Sequence, residues 1–355
     1  MHRRDLLRTV AGGLTASALK SASWGAEPTA VKTTQLGVVI YCCGILQQTR
    51  RASGQAGDLA DPLTFLEHCR QLGAGGIQTS LGVRDDAYAS RLREQAERYQ
   101  MFVESTLELP RNEADRERFE AEVRTAKRAG ADVARVVLLP GRRYERFSSL
   151  QEFREFADLG LKSLQLAEPI AARHAVRLAV ENHKDHRIQE KLAVLKQLSS
   201  EHVGVCVDVG NNLALLEDPQ ETVTAFAPWA CAVHLKDHFV REFENGFLLA
   251  DAALGDGFLD LPQLVAILRK ANPGIHFCLE TITRDPLRVP CLTDKYWATF
   301  SDLPGRDLAR TLRTVRAHTA SALLEPSRLS LQEQVTLEQE TVRKSLAYAR
   351  EQLNL

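Results

Sequence analysis

Glu181, Asp208, His234 and Glu280 are the residues of this chain whose types and order could do chemistry. Each follows a short apolar run, over residues 177–180, 203–207, 230–233 and 276–279. Such runs read as buried strands, and stretches of helical character separate them. In a parallel barrel the C-terminal strand ends face one shared cleft. Three carboxylates and an imidazole converging there make an oxygen-rich pocket of the kind that holds a divalent cation. The pattern predicts a metal-dependent enzyme and places its active site at the C-terminal mouth.

The elements that must position these residues alternate along the chain. Four earlier strands are expected at 36–43, 76–81, 101–107 and 133–139. Helices are expected at 62–72, 86–99, 113–129 and 150–174, then at 188–198 and 221–226. A longer excursion at 239–259 precedes helices at 261–271 and 304–323. Eight strand–helix repeats predict an α/β fold, a (β/α)8 TIM barrel over residues 33–325. An open doubly wound sheet is the structural alternative, but no GxGxxG turn follows the first strand. The charged, periodic tail predicts an additional C-terminal helix within 326–355, packed outside the barrel or against a second subunit.

With 45 Lys and Arg against 46 Asp and Glu, the net charge is −1, so nothing advertises a nucleic-acid or anionic-membrane surface. The N-terminus carries Arg3-Arg4-Asp5-Leu6-Leu7-Arg8, then a weakly apolar stretch over 9–19, then small residues up to Ala26. That order is the pattern of a twin-arginine export signal over residues 1–26. It implies passage through the twin-arginine translocase in a folded state, and a periplasmic location. Seven cysteines without CxxC spacing are no disulfide framework, and read as small buried hydrophobes.

The segments Leu178-Ala179-Val180-Glu181-Asn182-His183, Val205-Cys206-Val207-Asp208-Val209-Gly210-Asn211, Ala232-Val233-His234-Leu235-Lys236-Asp237 and Phe277-Cys278-Leu279-Glu280-Thr281 carry a resemblance. The chain resembles the xylose isomerase-like TIM-barrel family, a sugar isomerase and epimerase group that includes inosose dehydratases and an apurinic endonuclease branch. The resemblance covers nearly all of the chain after the signal. It implies that Glu181, Asp208, His234 and Glu280 hold one divalent metal ion, with Glu181 and Glu280 also the acid/base pair. It also implies that Asn211 stands where several epimerases of the family carry a histidine that touches substrate. His183, Lys184 and Lys236 lie beside the ligands and are expected on substrate oxygens, as is Glu104 from the third strand. Gly255-Asp256-Gly257 matches a glycine-containing loop common in the family at this point.

A metal on a carbonyl or neighbouring hydroxyl oxygen stabilises the enediolate formed when the adjacent C–H proton leaves. A carboxylate close by can take that proton. Return to the opposite face is epimerisation, and return to the neighbouring carbon is isomerisation. Loss of a β-leaving group is elimination. The expected function is a metal-dependent isomerase or epimerase of a small carbohydrate or cyclic polyol. The alternative is a lyase or dehydratase on a keto-sugar, keto-glycoside or keto-inositol. Oxygen-rich ligation makes manganese or magnesium the expected ion, with cobalt and zinc also compatible. An apurinic endonuclease would need further metal ligands on strands two and three, and a noncatalytic sugar-binding barrel would not need two opposed carboxylates. A homo-oligomer is compatible with the sequence.

Overall fold

The computed structural model describes residues 32–53, 57–300 and 302–355, so the export signal expected over residues 1–26 lies outside the described residues. The strands are β1 (Gly37–Val39), β2 (Gly76–Thr79), β3 (Phe102–Thr106), β4 (Val133–Val136), β5 (Arg177–Glu181), β6 (Val203–Asp208), β7 (Ala230–Leu235), β8 (Asp237–Phe243), β9 (Gly246–Ala252), β10 (Phe277–Leu279) and β11 (Leu287–Val289). Eight of them close a parallel barrel in the order β1-β10-β7-β6-β5-β4-β3-β2. The remaining three form an antiparallel sheet, β11-β9-β8.

Helices alternate with the barrel strands. They are α1 (Gly44–Ser53), α2 (Pro62–Leu72), α3 (Asp86–Tyr99), α4 (Arg116–Arg128), α5 (Arg143–Arg146), α6 (Leu150–Arg173), α7 (Ile188–Leu198), α8 (Pro219–Phe226), α9 (Leu261–Ala271), α10 (Asp294–Trp297), α11 (Gly305–Ala317) and α12 (Leu331–Gln352). Their starts follow local chemistry. Asp61, Asp85, Ser149, Asp218, Asp260 and Ser330 each cap a helix by accepting from a backbone N–H in its first turn. The apolar helix faces and the strands' outward residues share one continuous buried core.

The TIM barrel and the C-terminal helix are as expected, but three details differ. The first strand stops at Val39 rather than at residue 43, and a helical turn at Ile40–Cys43 leads into α1, ahead of the first expected helix at 62–72. The reason is nonlocal. Glu338 of α12 accepts from the N–H groups of Ile45 and Leu46 at 2.8 and 2.9 Å, capping α1 from the far end of the chain. The tail helix therefore packs on the barrel, and its Val335, Val342, Leu346 and Ala349 join the main core. The excursion at 239–259 is a β-hairpin, β8 with β9, turning at Glu244-Asn245 before Gly246. Asn-Gly between alternating residues is a hairpin signal, so this element was legible but unread.

The barrel interior is built from small and polar side chains rather than the usual branched aliphatics. Near its N-terminal end the Phe102 ring lies against the backbone of β1 and β2. A Cβ on Gly76 or on Gly37 would stand 2.5 Å from that ring, so both positions must be glycine. Ala179, Cys206, Ala232 and Cys278 stand two residues before the four candidate ligands, on the same strand faces. Their small size leaves room for buried Gln78 and Glu104 beneath the ligands.

Candidate metal centre and active site

Glu181, Asp208, His234 and Glu280 are all buried, and each offers a ligand atom within 4.8 Å of the others'. The strand register makes this happen. Asp208 pairs with His234 across β6 and β7, while β10 pairs with β7 one step below Glu280. Asn182 ties the ends of β5 and β6 together. Its side chain donates to the Asp208 carbonyl and accepts from the Asp208 N–H, both at 2.8 Å.

Each ligand is oriented by a partner. Asp208 Oδ1 accepts from Gly210 N and Asn211 N at 3.0 and 2.9 Å, leaving Oδ2 turned inward. His234 Nε2 lies 2.7 Å from Gln78 Oε1, while the Gln78 amide donates to Glu104 Oε2 at 2.9 Å. Because that amide nitrogen is committed to Glu104, Gln78 Oε1 must accept, so the proton sits on His234 Nε2. Nδ1 then faces Glu181 Oε2 at 3.6 Å and Glu280 Oε2 at 3.5 Å, buried and without a hydrogen-bond partner. An orphaned imidazole nitrogen among three carboxylates is the donor set a divalent cation needs, so the residues fit the ion that the arrangement implies.

Three buried cations surround the cluster. Arg135 Nε donates to Glu181 Oε2 at 2.6 Å, and its Nη2 contacts the same oxygen. Lys236 Nζ lies 2.6 Å from both Asp208 Oδ2 and Glu280 Oε2. Lys184 Nζ donates to Asn211 Oδ1, and Asn211 Nδ2 donates to Glu181 Oε1 at 3.2 Å. Burial raises the Glu181 pKa, but Arg135, His183 and His234 together more than offset it and hold the carboxyl down at about 2. Burial opposes the charge of Glu280 as well, yet Lys236 and His234 keep it well below the usual carboxylate range. Burial, seconded by Lys236, lowers Lys184 to about 8. Burial and the neighbouring Glu280 raise Asp208 to about 6, against the pull of Lys236.

A cleft of about 700 Å³ opens beside the ligands, with Tyr41, Thr106, Arg135, His183, Glu280 and Ile282 among its walls. A larger hollow of about 1030 Å³ opens between α6, α7 and α11 and holds none of the four ligands. His183 is at the cleft as expected, with Nδ1 held 3.0 Å from the Leu139 carbonyl. Asn211 and Lys236 hydrogen-bond the candidate ligands directly, and Lys184 reaches them through Asn211. Glu104 does not reach the cleft. The β2–β3 register sets it beside Gln78, one layer below, and Thr106 two residues on takes the cleft position. Asp237 is a loop anchor, accepting from the N–H groups of Gly255, Gly257 and Leu259 at 3.0 to 3.1 Å. A Cβ on Gly257 would meet its carboxylate at 2.1 Å, which explains the second glycine of that loop. All seven cysteines are buried and free, and burial pushes Cys43 up to about 12, which makes it inert. Sequence reading missed Arg135 and Tyr41. The signal for Arg135 was a lone cation inside the run Val133-Ala134-Arg135-Val136-Val137. Tyr41 carried no signal, since its place depends on where β1 ends.

A closed parallel barrel with a buried Glu-Asp-His-Glu cluster that could hold a metal ion defines the class. A family model described as xylose isomerase-like TIM barrel matches residues 66–302, and the chain belongs to that family. Over 125 residues the chain is 29% identical to a 3-oxo-isoapionate decarboxylase of Pectobacterium atrosepticum, a match taking in 35% of this chain and 46% of that enzyme. The chain thus matches about half the length of that curated relative. Among solved structures, a D-psicose 3-epimerase in the presence of D-fructose superposes with a TM-score of 0.56 at 12% identity, covering 90% of this chain and 99% of that one. The 3-keto-D-glucoside 4-epimerase of E. coli gives 0.52 at 13% identity, covering 80% of this chain and 100% of that one. A xylose isomerase domain protein of Planctomyces limnophilus gives 0.50 at 13%, covering 81% and 96%. At these identities the likeness is one of fold.

Proposed function

We propose that the protein is a divalent-metal-dependent isomerase or epimerase of a small carbohydrate or cyclic polyol, acting at a carbon next to a carbonyl. The observation that carries this reading is the orphaned His234 Nδ1 facing the buried carboxylates of Glu181, Asp208 and Glu280. A divalent ion held by these four, manganese or magnesium by its ligands, would supply a Lewis acid for negative charge developing on a substrate oxygen. Glu181 and Glu280 are the candidate bases, and Arg135 and Lys236 keep them ionised and able to accept a proton. Gln78 fixes the His234 ring, and Asn211 links Lys184 to Glu181. The buried floor of the cleft excludes bulk water and strengthens each of these interactions.

Bond cleavage is the second reading, and one observation favours it. Two-base epimerisation needs one carboxyl protonated in each half-cycle, yet Glu181 and Glu280 are both clamped to cations that oppose protonation. Lys184, with its pKa lowered to about 8, gives up a proton more readily, which suits quenching a carbanion left by a departing group. The partial match to a decarboxylase agrees with this reading. Among the described residues there is one metal-ligand cluster of this kind, which does not favour the multi-zinc endonuclease chemistry.

Proton NMR in deuterium oxide separates these readings. Metal-loaded protein is incubated with a panel of ketoses, keto-inositols, keto-glycosides and keto-acids. Deuterium entering beside a retained carbonyl, with an isomeric product, supports the first reading. Loss of carbon dioxide or water supports the second. Neither exchange nor conversion, with metal shown to be bound, would overturn both. Export through the twin-arginine route remains part of the proposal, tested by cell fractionation after Arg3 and Arg4 are both replaced by lysine.

A further inference from the structure

The buried charges around the metal ligands do not suit a neutral substrate. Glu181, Asp208 and Glu280 carry three negative charges, and Arg135, Lys184 and Lys236 carry three positive ones, all six residues at most 5% exposed. The charges further out are matched among themselves: Asp251 faces Arg284 at 3.3 Å, and Asp185 faces Lys191 at 3.2 Å. Buried Glu104, one layer beneath, has no Lys or Arg partner among the described residues, so the protein's buried charges sum to one negative. A divalent ion adds two positive charges and leaves an excess of one, and uncompensated charge there is costly. An anion entering with the substrate removes that excess.

Arg135 is the residue positioned to receive it. Its Nε and Nη2 are committed to Glu181, while Nη1 donates to no protein acceptor among the described residues. The guanidinium forms part of the cleft wall, which His183 and Glu280 also line, and lies over the Tyr41 ring at 5.8 Å. The cleft's acidic residues do not compete for Nη1 from within: Glu108 is exposed at the rim, and Glu122 is paired with Arg118 at 2.9 Å. A planar guanidinium edge is matched to a carboxylate.

We propose that the substrate is an acidic sugar, an oxo-sugar acid, whose carboxylate is received by Arg135 while its carbonyl end faces the metal ligands. This rests on the metal-dependent reading above and names its substrate class. Arg135 thereby sets specificity, in addition to holding Glu181.

The test is calorimetric binding of inert ligands to manganese-loaded protein, with manganese affinity measured separately by electron paramagnetic resonance. D-Gluconate and D-threonate are compared with the uncharged D-glucitol and D-threitol. The acids are expected to bind at least about tenfold more tightly than the polyols, the discrimination a charged hydrogen bond supplies. In Arg135→Gln, compared at manganese concentrations that saturate the variant by its own measured affinity, that preference is expected to vanish. Equal binding of acids and polyols by wild type overturns the proposal, as does a preference that survives in Arg135→Gln, since the carboxylate would then be chelating the metal. Should Arg135→Gln fail to load manganese, wild type decides by competition with isethionate, a hydroxy-sulfonate that chelates weakly. Displacement of gluconate by isethionate supports the guanidinium site, and failure to displace it overturns it. Loss of manganese binding by wild type itself would instead overturn the metal-dependent function.

Discussion

Replacing Gln78 by leucine removes the one group that orients His234. The Gln78 oxygen holds His234 Nε2 at 2.7 Å, and the amide nitrogen holds Glu104 Oε2 at 2.9 Å. Without it the imidazole can change tautomer and present N–H instead of a lone pair to the ligand cluster. Losing such a partner weakens metal binding by roughly 10- to 100-fold. With manganese at 100 times the wild-type dissociation constant, metal stabilises the wild type by about 2.7 kcal/mol. The variant at the same concentration would retain about 0.4 to 1.4 kcal/mol by the same relation. In metal-free buffer a second effect appears. Glu104 Oε2 keeps only Cys278 Sγ, 4.0 Å away, and a buried acceptor left without its donor costs about 1–3 kcal/mol. Gln78→Glu distinguishes the two effects. It restores an acceptor for His234 but sets a carboxylate about 2.9 Å from Glu104, a repulsion of about 6 kcal/mol at an effective dielectric of 20, so the pair keeps a proton. Its manganese affinity should fall less than that of the leucine variant. Urea unfolding with and without manganese, alongside manganese titration, measures all of this. A folded Gln78→Leu protein with wild-type manganese affinity would refute the reasoning.

Glu280→Gln removes a candidate base and one ligand charge, and turnover should fall by about 10²-fold or more, with substrate binding reduced far less. Near-native turnover in that variant would remove Glu280 from its acid/base role. Lys184 has its pKa lowered from 10.5 to about 8, so the unfolded chain binds the extra proton between these values and metal-free stability should rise with pH across that window. Subtracting the stability–pH curve of Lys184→Met isolates this rise, and an unchanged slope would count against the buried ammonium. Turnover that uses the Lys184 proton should also decline as pH passes about 8. Glu338→Ala removes the two hydrogen bonds that cap α1, and should lower stability by about 1–2 kcal/mol in urea unfolding. An unchanged midpoint would show that α12 is held by its apolar face alone.

The barrel and the buried cluster of Glu181, Asp208, His234 and Glu280 were legible because both are written in local patterns. An apolar run that ends in a carboxylate or histidine marks a strand end, and the barrel directs such ends to one mouth. Lys184, Asn211 and Lys236 were legible for the same reason, since each lies within three residues of a ligand. The Asn245-Gly246 hairpin was also local, and only its alternation went unread. Tertiary structure alone decided the rest. The sequence does not show that α1 is capped by Glu338, 292 or more residues away. Nor does it show that Arg135 meets Glu181 from the adjoining strand, or that Glu104 lies one layer beneath the cleft. Strand periodicity says which face a residue takes, but the depth at which it sits along the barrel axis depends on the register between strands. That register is set only when the ring closes, and with it the balance of buried charge that selects what can bind.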